Sequence, residues 1–317
     1  MLNLLLLIGG FALLIYGANM LVNNASALAK SLKIPNIVIG LTIVAFGTSS
    51  PEFVVNVFAA SEGNSSLALG NIVGSNLFNI LLILGISAVI FPLGVKSSTT
   101  WSEIPLCLLS AVALFIMAND IILDKTSVST IGRGDGVILL LFFSVFLAYN
   151  IHLARKGDIS EELVVKARGK LLSSFLILAG LGLLVVGGRF IVQSAVSIAY
   201  EFGVPERIIA LTIISAGTSL PELATSVVAA IKKNTDIAIG NIVGSNIFNV
   251  FFIMGVTALI NPVSIWPGSN TDLVLNIFVS LLLFAFIFTG KHRRIEKVEG
   301  IGFLILYAGY LTFLIVA

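Results

Sequence analysis

Long apolar runs separated by short polar stretches cover the chain from end to end. Ten runs are long enough to cross a membrane as helices: 2–23, 35–60, 66–91, 101–118, 136–153, 171–198, 205–231, 237–261, 272–290 and 299–316. A helical crossing needs about 20 mostly apolar residues. The pattern therefore predicts an all-α membrane protein with ten transmembrane helices. No Lys or Arg precedes the first run, and the run is too long for the apolar core of a signal peptide, so it reads as a retained span.

The polar positions inside these runs repeat. Residues 40–93 align without a gap on residues 210–263, with about half of the positions identical. The same register joins Gly17 to Gly187, Val22 to Val192, Ala25 to Ala195 and Pro35 to Pro205. At a slightly shorter offset, Arg133–Val137 resembles Lys297–Ile301. The unit is thus five spans used twice. Five is odd, so the second copy must enter the membrane from the opposite side, a pattern found in many secondary transporters. The expected organisation is a first repeat over 1–153, a short linker over 154–170 and a second, inverted repeat over 171–317.

Composition and charge agree. Mean hydropathy is +1.09, and only 11% of residues are charged, against about a quarter in soluble domains. The net charge of +2, without a long basic run, argues against nucleic acid as a partner. Fourteen of the basic residues fall in loops on one side of the predicted topology and three, Lys125, Arg133 and Arg207, on the other. The basic side is expected to be cytoplasmic, which places both termini outside a multi-pass plasma-membrane protein. Arg189, within the sixth run, reads as snorkelling. The single cysteine, Cys107, reads as a buried inert thiol. Glu103, Asp135, Asp272 and Glu299 stand at span starts and read as solvated helix ends.

Two acids lie deep inside apolar runs: Glu52 in GTSSPE (47–52) and Glu222 in GTSLPE (217–222). A carboxylate at that depth marks a function and a nearby partner. Pro51 and Pro221 lack an N–H and clash with the preceding turn. The helices should break there, leaving carbonyls around Ala45–Thr48 and Ser215–Thr218 without helical partners. Such backbone persists in a membrane only inside protein or against a wet cavity, and a cation would satisfy it. Thr48, Ser49, Thr218 and Ser219 add hydroxyls. A proline kink alone needs no ligand; an acid beside each of two breaks points to a cation site.

The second motif, GNIVGSNLFN (70–79) and GNIVGSNIFN (240–249), differs at one position between copies. Asn71, Ser75 and Asn79 form one helical stripe, and Asn241, Ser245 and Asn249 repeat it; Asn76 and Asn246 lie near the edge. Gly70 with Gly74, and Gly240 with Gly244, permit close helix approach. All ligand candidates are oxygens, which favours hard cations over transition metals. Ca2+ takes about 6–8 oxygens in flexible geometry, and two carboxylates balance one divalent ion. Na+ suits the hydroxyl and carbonyl positions. No cofactor is expected, and His152 and His292 form no metal cluster. No nucleophile or histidine accompanies the acids, so the chain is not expected to be an enzyme.

These paired motifs resemble the two signature repeats of the sodium/calcium exchanger family, of the prokaryotic type without a large cytosolic loop. The resemblance implies Ca2+ ligands at Glu52 and Glu222 with backbone oxygens of Thr48 and Thr218. It implies Na+ coordination by the carbonyls of Ala45 and Ser215 and the side chains of Ser49, Ser75, Ser219 and Ser245. It also implies alternate exposure of the site by sliding of the first and sixth spans. Many members carry an aspartate where this chain has Asn249, opposite Asn79, so the site here has only two carboxylates. The expected function is Na+/Ca2+ antiport. An H+/Ca2+ antiporter using the same glutamates is the alternative, and a cation channel a more distant one.

Overall fold

The computed structural model describes residues 2–63, 65–123, 125, 127–156, 169–202, 215–265, 268–289 and 293–316. The linker segment 157–168, the start of the expected seventh span at 203–214 with Arg207, and Lys291 and His292 lie outside the described residues. The helices are α1 (Leu2–Leu32), α2 (Asn36–Thr48), α3 (Ser50–Ser61), α4 (Ala68–Ile90), α5 (Thr99–Met117), α6 (Arg133–Lys156) and α7 (Lys170–Glu201). They continue with α8 (Ser215–Thr218), α9 (Leu220–Ile231), α10 (Thr235–Ile260), α11 (Ser269–Thr289) and α12 (Lys297–Val316). Among the described residues, eight helices are long and apolar enough to cross a membrane. The pair α2–α3, bent by 47°, makes a ninth if it is one span. The expected run 205–231 is described only from Ser215. The protein is an all-α, multi-pass membrane protein.

Polarity accounts for the layering. α4 and α10, which carry the asparagine motifs, are the most enclosed helices, whereas α6 and α12 keep most of their surface on the outside. That outside is apolar, with Leu141 and Val145 on α6 and Ile301 and Ile305 on α12 exposed. A lipid-facing surface needs this composition. α1 extends nine residues beyond the predicted end at residue 23. Its polar residues there bond back within the helix, Asn24 to the Met20 carbonyl at 2.6 Å and Ser26 to that of Val22 at 3.0 Å.

α1 packs along α7 through paired glycines. A Cβ on Gly17 would lie 2.8 Å from the Gly180 carbonyl oxygen, and one on Gly187 would lie 2.8 Å from that of Gly10. The two helices therefore run antiparallel, backbone against backbone. Gly240 and Gly244 do the same against Gly40 and Leu41 of α2, with Cβ distances of 2.9–3.1 Å. The expected close approach is present in this copy. At Gly70 no described atom lies within 4 Å of a built Cβ.

Polar ties gather at the two ends of the bundle. At one end, β1 (Leu93–Gly94) pairs antiparallel with β4 (Arg294–Ile295). There Lys96 meets Asp236 at 2.6 Å, and Lys232 donates to the Asn19 carbonyl and to Asn23. At the other end, β2 (Thr130–Ile131) pairs with β3 (Val263–Ser264), and Asn3 donates to Glu201.

Two expectations about charged span ends need correction. Glu103 is 0% exposed and accepts from the Tyr149 hydroxyl at 2.6 Å; Asp272 accepts from Tyr310 at 3.1 Å. Each acid ties a span to a neighbouring tyrosine rather than facing water alone. Asp135 accepts from the Gly132 N–H and Glu299 from the Glu296 N–H. Both occupy the reaching-back position of a helix-capping box. Tyr149→Phe should lower the melting temperature in detergent, because the buried Glu103 loses its donor, at a cost of about 1–3 kcal/mol. An unchanged melting temperature would contradict that role.

Candidate ion-binding site

The two proline motifs shape the centre of the bundle. Ser49 (φ −81°, ψ 7°) separates α2 from α3, and Ser219 (φ −88°, ψ 7°) separates α8 from α9. Pro51 and Pro221 sit in the first turn of the following helix, where a missing N–H costs nothing. Glu52 and Glu222 fall in that same first turn, at the positive end of the helix dipole, which favours a carboxylate. Both are 1% exposed. Gly47 and Gly217 are required by close packing against α7. A side chain at Gly47 would meet Leu181 of α7, and one at Gly217 would meet Val192 of α7.

Each half clamps the carboxylate of the other. Ser49 Oγ donates to Glu222 Oε1 at 2.7 Å, and Ser219 Oγ donates to Glu52 Oε1 at 2.9 Å. The serines of the asparagine motifs stand behind them: Ser245 lies 3.0 Å from Ser49, and Ser75 lies 3.2 Å from Ser219. Thr48 Oγ1 donates to Asn241 Oδ1 at 3.0 Å, and Asn241 Nδ2 donates to Ser226 Oγ at 2.9 Å.

One oxygen of each acid has no partner. Glu52 Oε2 and Glu222 Oε2 are buried and accept no hydrogen bond. Among the described residues, the one side-chain ion pair is Lys96–Asp236, so neither glutamate has a cationic neighbour there. Buried charges demand a counter-charge, and none comes from the described side chains. Asn79 Oδ1 and Asn249 Oδ1 are likewise buried and unpartnered. Asn79 lies one turn beyond Ser75 on α4, as Asn249 lies one turn beyond Ser245 on α10. The donor set is carboxylate, amide, hydroxyl and carbonyl oxygen, suited to a hard cation. Among the described residues, no group of three or more His, Cys, Asp or Glu offers another metal site.

The remaining expected ligands stand differently. The Ala45 carbonyl already accepts the Ser49 N–H at 3.0 Å and lies 3.3 Å from Thr48 Oγ1, so the helix break does not leave it bare. Ser215 opens α8, and its side chain lies outside the described residues. The Asn71 Nδ2 group is buried without a partner.

Some features were not anticipated from the sequence. A π-helical stretch begins one residue before each inner asparagine, at Phe78–Leu84 in α4 and Phe248–Met254 in α10. π-helical turns are frequent at functional sites. Asn76 and Asn246, read as edge positions, reach across to each other's backbone. The near-identity of the two decapeptides was the available signal, since it did not distinguish stripe from edge.

The clamp gives a direct prediction. Ser219→Ala removes a charge-assisted hydrogen bond to Glu52, worth about 1.5–3 kcal/mol. It should weaken cation binding roughly tenfold or more, and Ser49→Ala should do the same through Glu222. Unchanged binding in both variants would contradict the swapped arrangement.

Comparison with known proteins places this architecture. The chain matches the family described as "Sodium/calcium exchanger protein" over residues 2–152 and 172–316. It is 36% identical to the putative antiporter CaxA of Alkalimonas amylolytica over 95% of both chains. It is 30% identical to the sodium/calcium exchanger MaX1 of Methanosarcina acetivorans over 98% of both. Its fold superimposes on a solved structure of the sodium-calcium exchanger NCX_Mj, with a TM-score of 0.84, 29% identity and 98% of each chain covered. The chain belongs to the sodium/calcium exchanger protein family.

Proposed function

We propose that this protein is a secondary antiporter exchanging Na+ for Ca2+ by alternating access at the Glu52–Glu222 site. The observation that carries this reading is the pair of buried, unpartnered carboxylate oxygens, Glu52 Oε2 and Glu222 Oε2. Two negative charges held without a cationic side chain need either one divalent ion or at least two monovalent ones. A site that accepts one set or the other, but not both, is what antiport requires. The hydroxyls of Ser49, Ser75, Ser219 and Ser245, gathered on the acids, suit Na+. Ca2+ would draw on both carboxylates, the amide oxygens of Asn79 and Asn249, and the backbone at Thr48 and Thr218. Both ions are substrates, and no covalent chemistry is involved.

The same reading gives the chain ten spans in two inverted repeats of five, over 1–153 and 171–317, joined by a cytoplasmic linker over 154–170. The antiparallel α1–α7 pair and the swapped serine–glutamate bonds are what such a repeat produces. The sorting of polar ties to two ends supports the orientation, since the Lys96–Asp236 end is the one rich in basic loops. That end faces the cytoplasm, and both termini lie outside the cell membrane.

Protons could neutralise the same two carboxylates, and the amide at Asn249 keeps their number at two. Uptake of radioactive calcium into proteoliposomes separates the readings. Vesicles loaded with Na+ should accumulate Ca2+, and vesicles loaded with K+ at the same pH should not. Uptake driven by an acidic interior without Na+ would replace Na+ by H+ as the coupling ion.

A further inference from the structure

Four buried asparagines join the two halves beside the acids, each 1–2% exposed. Asn76 Nδ2 faces the Asn246 carbonyl oxygen at 3.4 Å, and Asn246 Nδ2 faces the Asn76 carbonyl oxygen at 3.3 Å. Asn249 Nδ2 donates to Asn76 Oδ1 at 3.0 Å, and Asn79 Nδ2 donates to Asn246 Oδ1 at 2.9 Å. The polarity of this network is set by its backbone ends. A carbonyl oxygen only accepts, so Asn76 and Asn246 must present their N–H groups to it. Their side-chain oxygens then face Asn249 and Asn79, which must present N–H groups in turn. What remains is Asn249 Oδ1 and Asn79 Oδ1, both buried and without a partner.

We infer that Asn76 and Asn246 are positioning residues that fix which end of the Asn249 and Asn79 amides faces the ions. The inference rests on the ion-site reading above. A free asparagine can turn its amide over, and a turned amide would aim N–H groups at a cation. The carbonyl–Asn76–Asn249 relay and its mirror, carbonyl–Asn246–Asn79, remove that choice. The relay also explains why an amide suits position 249 in this chain. An aspartate anion there would set a carboxylate oxygen against Asn76 Oδ1, which has no proton to offer. The site is thereby held to two carboxylates.

The test is a double-mutant cycle read by calcium chloride titration calorimetry on the purified full-length protein in Na+-free detergent. Asn76→Leu removes the acceptor that orients Asn249 and should weaken Ca2+ binding tenfold or more. In an Asn249→Leu background the same change should weaken it less than twofold, because the amide through which Asn76 acts is gone. A purely structural Asn76 would instead lower the melting temperature of the ion-free protein while leaving Ca2+ affinity unchanged, and that result would overturn the inference. The mirror relay supplies a second reading: Asn246→Leu should weaken Ca2+ binding tenfold or more in the wild type and less than twofold in an Asn79→Leu background, and equal costs in the two backgrounds would count against the relay. Absence of saturable Ca2+ binding by the wild type would instead overturn the ion-site reading, and the inference with it.

Discussion

Glu52→Gln and Glu222→Gln are each expected to abolish Ca2+ exchange while leaving the fold intact. Glutamine keeps an oxygen for the serine of the opposite half, Ser219 for Glu52 and Ser49 for Glu222. It removes one of the two charges that balance a divalent ion. Removing one partner of a buried ion pair costs about 3–5 kcal/mol, so Ca2+ affinity should fall by roughly two to nearly four orders of magnitude. The ion-free protein should not lose stability, because an uncompensated buried charge has been deleted. The measurements are radioactive calcium uptake in proteoliposomes and thermal melting in detergent without Ca2+ or Na+. A variant that exchanged normally would remove that glutamate from the site.

The second large effect is expected at the α1–α7 seam. Alternate exposure by sliding requires two packed elements that can shear past each other. Here the two helices touch through glycines, with a Cβ at Gly187 falling 2.8 Å from both the Gly10 carbonyl oxygen and the Leu14 nitrogen. Backbone cannot move aside as a side chain can, so Gly187→Val must push the helices apart. Overpacking of this kind costs about 1–3 kcal/mol. Transport should fall at least tenfold, with a lower melting temperature. Gly182→Ala on the same helix, where nothing lies within 4 Å, should change neither. Normal transport by Gly187→Val would mean that the close approach is not needed for the cycle.

Spacing in one sequence reveals which residues share a helix face, and that was enough to place Glu52, Ser75 and Asn79 in one reading of the centre. It does not reveal which residue of the other half each one meets. The exchange of serines between acids, with Ser49 on Glu222 and Ser219 on Glu52, needs the fold, because it joins residues more than 160 positions apart. The same holds for Asn76 and Asn246, whose importance is a matter of direction across the α4–α10 crossing. Glu103 was misread because a span start usually lies near water; here α5 begins with the acid turned inward onto Tyr149 of α6. Asp135 and Glu299 do stand at helix ends, and their capping role was legible too, since each follows at capping-box spacing the residue whose N–H it accepts. The Ala45 carbonyl illustrates another limit: Pro51 removes a donor from Gly47, yet the Ser49 N–H still completes its own turn.

The central claim is that Ca2+ and Na+ compete for one pair of carboxylates. Equilibrium binding of radioactive calcium to the purified protein, titrated with Na+ at constant pH and ionic strength, tests it most directly. The account predicts complete displacement of Ca2+ with a Hill coefficient above one for Na+, because a single Na+ cannot balance two charges. Calcium that stays bound at saturating Na+, or that K+ displaces equally well, would contradict it.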